Sequence, residues 1–277
     1  MPLSIINVDI DAACQGERWH VSQDEHLARA IAVVSMGQSA HAATIIRSLL
    51  PVEPAFLNAN LFNDARAGLK ISGSTEKQQK ISRWHRDGFI FEVISWIAIQ
   101  KTASLESLMK SPHIKSTTQG LDGLLLELSN SPPEITRTTI CEDKCSQNPQ
   151  NTFQYKVLPA FKKHHAGERA RELLAEASSL LEKICKDGTE ATKAAARVLD
   201  LNTRRYRAAL TIEEVYDSAE ERKKIFQNFD MLTDIHPQQR LGATFVVQGK
   251  LREYFDQLAA AAIEFLNQWE KEASNVR

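Results

Sequence analysis

Four charged residues stand inside apolar stretches of this sequence, and their spacing could assemble a cation site. Asp122 opens the run Leu121–Leu128 (LDGLLLEL), Glu142 and Lys144 lie near the end of Ile135–Cys145 (ITRTTICEDKC), and Glu92 sits between Phe91 and Val93. Charges in such surroundings are costly unless they are paired or bound to a metal. In a strand, residues two apart share a face, so Glu142 and Lys144 project together while Cys141, Asp143 and Cys145 point away. Two carboxylates with open coordination positions suit Mg²⁺, which takes oxygen ligands and keeps waters; the peptide carbonyl of Asp143 offers a further oxygen. An ammonium beside the cation can orient an attacking water and offset developing negative charge. Phosphodiester hydrolysis needs this set: a polarised phosphoryl oxygen, an activated water and charge neutralisation.

A hairpin and a helix must position these groups. The second run is rich in β-branched residues, and Ser129–Pro133 between the runs reads as a turn. In an antiparallel hairpin, the start of one strand lies beside the end of the next, so Asp122 can meet Glu142 and Lys144 at one end of a sheet. Glu92 belongs to a helix predicted over 74–101, capped by Ser74 or Thr75, with Glu76 near its positive end. Ile81, Trp84, Phe89, Ile90, Val93, Ile94, Trp96 and Ile97 predict burial of this helix on most sides. His85 lies seven residues before Glu92, on nearly the same face.

Elsewhere the pattern predicts a strand at Leu3–Ile10, helices at Asp24–Ser35 and Ser39–Leu50, and a loop-rich connection over Phe56–Gly73. The stretch 102–118 reads as mostly irregular. Helices are expected at Gly167–Lys186, Thr189–Leu199, Asp217–Phe229 and Lys250–Lys271, with strands at Tyr206–Ile212 and Ala243–Gln248. Lys162, Lys163, His164 and His165 precede the first of these helices, where phosphate contact competes with a plain solvated turn. Arg204, Arg205 and Arg207 read as a solvated face.

The D-x₁₉-E-x-K arrangement of Asp122, Glu142 and Lys144 resembles the PD-(D/E)XK, or restriction-endonuclease-like, nuclease superfamily. Gly88-Phe-Ile-Phe-Glu92 is similar to the glycine–aromatic–Glu signature of several of its branches. Leu121 stands where the usual proline would precede the aspartate. The resemblance covers about residues 76–212. It implies an α/β (α+β) fold with an αβββαβ core, a mixed central sheet flanked by helices, within a nuclease domain spanning 74–277. The C-terminal extension is expected to be helical, and 1–73 is expected to form a mostly helical N-terminal region. The resemblance further implies Mg²⁺ dependence, with Mn²⁺ as a substitute, and DNA as substrate. Asp122 and Glu142 would be metal ligands, Lys144 the water-orienting group and Glu92 an auxiliary ligand. Restriction or bacterial anti-phage defence is the implied setting, with the chain a nuclease subunit beside a helicase or sensor.

Other readings stay open. The three charges could be a structural ion-pair cluster in a catalytically silent module that binds DNA or a partner protein. Cys141 and Cys145 with His164 and His165 could hold zinc, although the spacing is not that of paired Cys-x-x-Cys knuckles. The 34 basic and 35 acidic residues among 277 argue against binding nucleic acid by bulk charge. No stretch is apolar enough to span a membrane, and the N-terminus lacks the features of an export signal, so a cytoplasmic protein with reduced thiols is expected. Dinucleotide-binding, Walker A, His-Glu-x-x-His and Gly-x-Ser-x-Gly motifs are missing, which sets aside those enzyme classes.

Overall fold

Among the described residues seven strands meet in one sheet. The computed structural model describes residues 2–48, 50–113, 120–129 and 134–275. In chain order the strands are β1 (Leu3–Asp11), β2 (Cys14–Val21), β3 (Leu108–Met109), β4 (Gly123–Leu128), β5 (Ile135–Lys144), β6 (Arg204–Glu213) and β7 (Arg240–Val247). They lie side by side as β1-β2-β7-β6-β5-β4-β3. The central strands β2, β7, β6 and β5 run parallel to their neighbours, whereas β1–β2 and the β3–β4–β5 meander are antiparallel. Strands covered on both faces read as continuous apolar runs, and every residue of β7 is buried. Gly242 in β7 is required there: a Cβ would stand 2.7 Å from the Phe226 ring.

Helices cover both faces. On one side α1 (Asp24–Ser35), α2 (Ser39–Arg47), α3 (Ala59–Leu69), α4 (Glu76–Thr102) and α10 (Leu251–Asn275) enclose a core with Trp19, Phe91, Phe245 and Phe255. On the other lie α5 (Pro149–Thr152), α6 (Leu158–His165), α7 (Ala170–Leu181), α8 (Gly188–Ala195) and α9 (Ala219–Ile225), around Phe153, Phe161, Tyr206 and Phe229. A π-helical turn, Phe153–Val157, joins α5 to α6. The α4 start is fixed by a capping box in which the Thr75 hydroxyl and Gln78 side chain exchange hydrogen bonds with each other's backbone.

Three expectations change. The 56–73 stretch is not mainly loop: Asn58 caps α3, whose buried Phe62, Ala65 and Leu69 form one stripe. The N-terminal region, expected to be mostly helical, also carries the β1–β2 hairpin, and β2 pairs with β7. Lys162 to His165 form the last turn of α6, where cations complement the helix dipole instead of opposing it. Residues 114–118 of the expected irregular stretch and 130–133 of the expected turn lie outside the described residues. No described helix is long and apolar enough to cross a membrane.

Candidate active site

The hairpin register brings the acids together. Gly123 pairs with Cys141 and Leu124 with Ile140, so Asp122, just before β4, falls beside Glu142 near the end of β5. Both carboxylates converge on Lys144. Its Nζ lies 2.9 Å from Glu142 Oε2 and donates a short hydrogen bond to Asp122 Oδ2. Asp122 Oδ2 also accepts the Asp143 N–H at 3.0 Å, which ties the start of one strand to the end of the other.

Burial sets the protonation of this group. Desolvation pushes the Glu142 carboxyl from 4.5 up to about 7; Lys144 opposes that shift and Asp122 adds to it. Desolvation alone would lower the Lys144 ammonium, but Asp122 and Glu142 outweigh it and hold the ammonium well above its ordinary range. One cation thus serves two acids, and Glu142 is the acid left under-compensated.

Asp143 turns the other way, as strand alternation requires. Its Oδ1 accepts Arg207 Nη2 at 3.1 Å, and Arg207 also donates to the Ser95 hydroxyl of α4. Burial raises Asp143 from 3.8 to about 6 against the pull of Arg207. Arg204 and Arg207 are both buried in β6, so the solvated-face reading fails for these two: one holds the His164 and Val198 carbonyls, the other Asp143.

Glu92 reaches the same region from α4 but is engaged elsewhere. Its Oε1 accepts the His113 N–H at 2.7 Å and faces His113 Nδ1 at 2.9 Å. The hydrogen bond to Glu92 raises the His113 imidazole above its ordinary value. A cavity of about 230 Å³ gathers Glu92 and His85 of α4, Asp122, Asp143 and Lys144 of the hairpin end, and Lys156 of the π-helical turn.

Lys162, Lys163, His164 and His165 lie elsewhere. His165 Nδ1 is 3.3 Å from the Tyr206 hydroxyl, and the His164 carbonyl accepts from Arg204. Arg204 pairs with Thr138, six residues before Lys144 in β5, so this cluster sits at the other end of the sheet, roughly 20 Å away. His164 is buried, and burial pushes its imidazole down to about 4. Gln154 bonds the Gln227 carbonyl, while Thr152 and Lys156 are the residues of this helical segment that line the cavity.

Among the described residues, no three His, Cys, Asp or Glu side chains approach closely enough to hold a metal ion. That disfavours zinc; burial also holds the Cys141 thiol up at about 11 and Cys145 at about 12. Asp122 and Glu142 by themselves fit a hard cation of the kind that keeps most of its waters. Glu92, turned to His113, adds no third carboxylate.

Ser95, His113 and Lys156 escaped the sequence reading, and Arg207 was read as a solvated charge instead of a partner of Asp143. Arg207 carried a signal, a charge set between Tyr206 and Ala208 in an otherwise apolar strand. His113 and Lys156 stand in polar stretches and carried none. No protein-family model matches the chain, and neither does any curated protein.

Proposed function

We propose that this protein is a metal-dependent nuclease of restriction-endonuclease-like type that hydrolyses DNA phosphodiesters. The observation carrying the reading is the convergence of Asp122 and Glu142 on Lys144 at the open end of the β4–β5 hairpin. The element order is compatible with it: α4, the β3–β4–β5 meander, a helical connection, then β6 parallel to β5 follow the order of an αβββαβ core, inside a sheet that β7, β2 and β1 extend. Mg²⁺ or Mn²⁺ would be held by Asp122 and Glu142, with the Asp143 carbonyl as a third oxygen, and would polarise the phosphoryl group and lower the pKa of a bound water. Lys144, held protonated by both acids, would orient an attacking water and offset negative charge developing on the phosphoryl oxygens. Arg207 and Ser95 fix Asp143 and thereby the strand end on which Glu142 and Lys144 stand. His113 holds Glu92 at the cavity wall. A cytoplasmic setting in restriction or anti-phage defence, with a helicase or sensor as protein partner, follows from the resemblance.

One observation favours a second reading. Lys144 already bridges the two carboxylates, as it would in a catalytically silent module that binds DNA or a partner protein. Incubating the protein with plasmid, linear and single-stranded DNA in Mg²⁺, Mn²⁺ or EDTA separates the two. The nuclease reading expects metal-dependent cleavage that falls about 10²-fold or more in Glu142→Ala and Lys144→Ala variants that remain folded. Cleavage undiminished in both variants, or none with any metal, sinks it.

A further inference from the structure

Two features of α4 beside the carboxylates, an exposed indole and a mid-helix glycine, serve no contact in the core. Trp84 is 49% exposed, although so large an apolar surface is normally covered. Gly88, one turn further on, sits mid-helix, where glycine is unfavourable relative to alanine. Yet a Cβ at Gly88 would meet nothing within 4 Å. Glu92 follows after one more turn, so the open notch at Gly88 lies between an exposed indole and the carboxylate wall of the cavity. The Lys80 ammonium stands 5.2 Å from the centre of the Trp84 ring, and Lys156 lines the cavity as well. Neither lysine has a carboxylate partner among the described residues.

We propose that Trp84, Gly88, Lys80 and Lys156 form a seat for an unpaired nucleotide beside the scissile phosphate, and that the substrate is therefore single-stranded nucleic acid. This deepens the nuclease reading and rests on it. The indole is half exposed, and the flexible Lys80 over its ring can yield to a base and turn to the adjoining phosphate; an aromatic ring beside cations is the composition of a stacking platform, on which any base can lie because every base has a π-face. A duplex hides its base faces against one another, so only an unpaired base gains from Trp84. The missing side chain at Gly88 leaves room for that base or its sugar where alanine would intrude. A wider cleft of about 960 Å³ between α3 and α4 adjoins the site cavity, with His85 and Phe89 lining both. Its charge is mixed, with Asp64 opposing Lys70. Stacking, more than bulk charge, must therefore supply the affinity, which agrees with the near-neutral chain.

The test is fluorescence anisotropy of the 277-residue Glu142→Gln protein in EDTA, with labelled oligo(dT), oligo(U) and a duplex of about 12 nucleotides. Tighter binding of either single strand than of the duplex, by about tenfold, supports the seat. Trp84→Ala should weaken single-strand binding about tenfold, and Trp84→Phe should recover most of it. Gly88→Ala gives the sharper result: Tm should rise by about 2 °C while single-strand binding falls, a pair of effects that a purely structural glycine would not produce. Duplex bound as tightly as single strand, or binding unchanged in both Trp84→Ala and Gly88→Ala, overturns the proposal. Wild-type protein that binds single strands through Trp84 and Gly88 but cuts nothing with Mg²⁺ or Mn²⁺ defeats the nuclease reading and leaves the seat standing. Metal-dependent cleavage with single-strand binding indifferent to both substitutions does the reverse.

Discussion

Glu142 is a carboxylate that folding makes reluctant to ionise, and this has consequences for stability and for metal binding. Its pKa is about 7 in the folded chain against 4.5 unperturbed, mainly because it is desolvated. Between those values the folded state binds more protons than the unfolded state, so stability falls as pH rises through that window, and the loss is complete above about pH 7. Asp143 acts in the same direction lower down, between 3.8 and about 6. His164, pushed down to about 4, acts against both acids between about pH 4 and 6.5, so the Glu142 contribution is read by difference: the Tm of wild type relative to that of Glu142→Gln should decline from about pH 5 to about pH 7. A cation changes this balance because it binds the ionised form. Mg²⁺ should raise Tm clearly at about pH 8, little at about pH 5.5, and not at all in the Asp122→Asn, Glu142→Gln double variant. An equal Mg²⁺ effect on wild type and double variant would place the ion elsewhere.

At the scale of elements, α4 matters most, because it carries Glu92, Ser95 and the proposed base seat while being held from behind. Asp87 is wholly buried: its Oδ1 accepts Arg86 Nε at 3.0 Å and Nη2 at 2.6 Å, and its Oδ2 accepts Arg252 of α10. Replacing Asp87 with alanine leaves two guanidiniums without their buried partner and should cost about 3–5 kcal/mol in urea unfolding at neutral pH. Thr75→Ala removes only a cap at the exposed end of the same helix and should cost about 1 kcal/mol with cleavage unchanged. A Thr75 effect as large as that of Asp87 would mean that α4 is anchored at its cap. The α4 helix and the β4–β5 hairpin were legible in the sequence because cap, apolar run and β-branched alternation are local signals. Other elements were harder to read. The α3 stripe of Phe62, Ala65 and Leu69 was present, but the surrounding Asn and Gly residues suggested a loop. Asn148-Pro149, an N-cap followed by proline at the first helical position, marks where α5 begins. From there the helical run continues to His165, which places Lys162 to His165 at its C-terminal end. The β2 segment offered Gln15, Glu17, Arg18 and His20 and little apolar alternation; it is a strand because β1 pairs with it on one edge and β7, more than 200 residues away, on the other.

That distant pairing joins the whole molecule to the site. Trp19 of β2 is completely buried, donates Nε1–H to Glu17 Oε2 at 2.9 Å, and stacks near Arg207, whose guanidinium carbon lies 5.1 Å from the indole centre. Arg207 holds the Asp143 side chain, and the Asp143 N–H holds Asp122. The N-terminal hairpin thus reaches the acid–acid–lysine group through Trp19, Arg207 and Asp143, though it contributes no side chain to that group. Trp19→Ala should cost about 3–5 kcal/mol by cavity formation. Trp19→Phe keeps an aromatic face for Arg207 and loses the indole hydrogen bond, at about 1 kcal/mol. If the hairpin positions the site, metal-dependent cleavage measured well below each Tm will fall in Trp19→Ala and be largely kept in Trp19→Phe. Deleting residues 1–21 goes further, because it bares the edge of β7 and uncovers the core around Phe245. The shortened chain should aggregate or show no cooperative transition by circular dichroism. A soluble 22–277 fragment with the Tm and cleavage rate of the full chain would show that the hairpin is an appendage and that the site is complete without it.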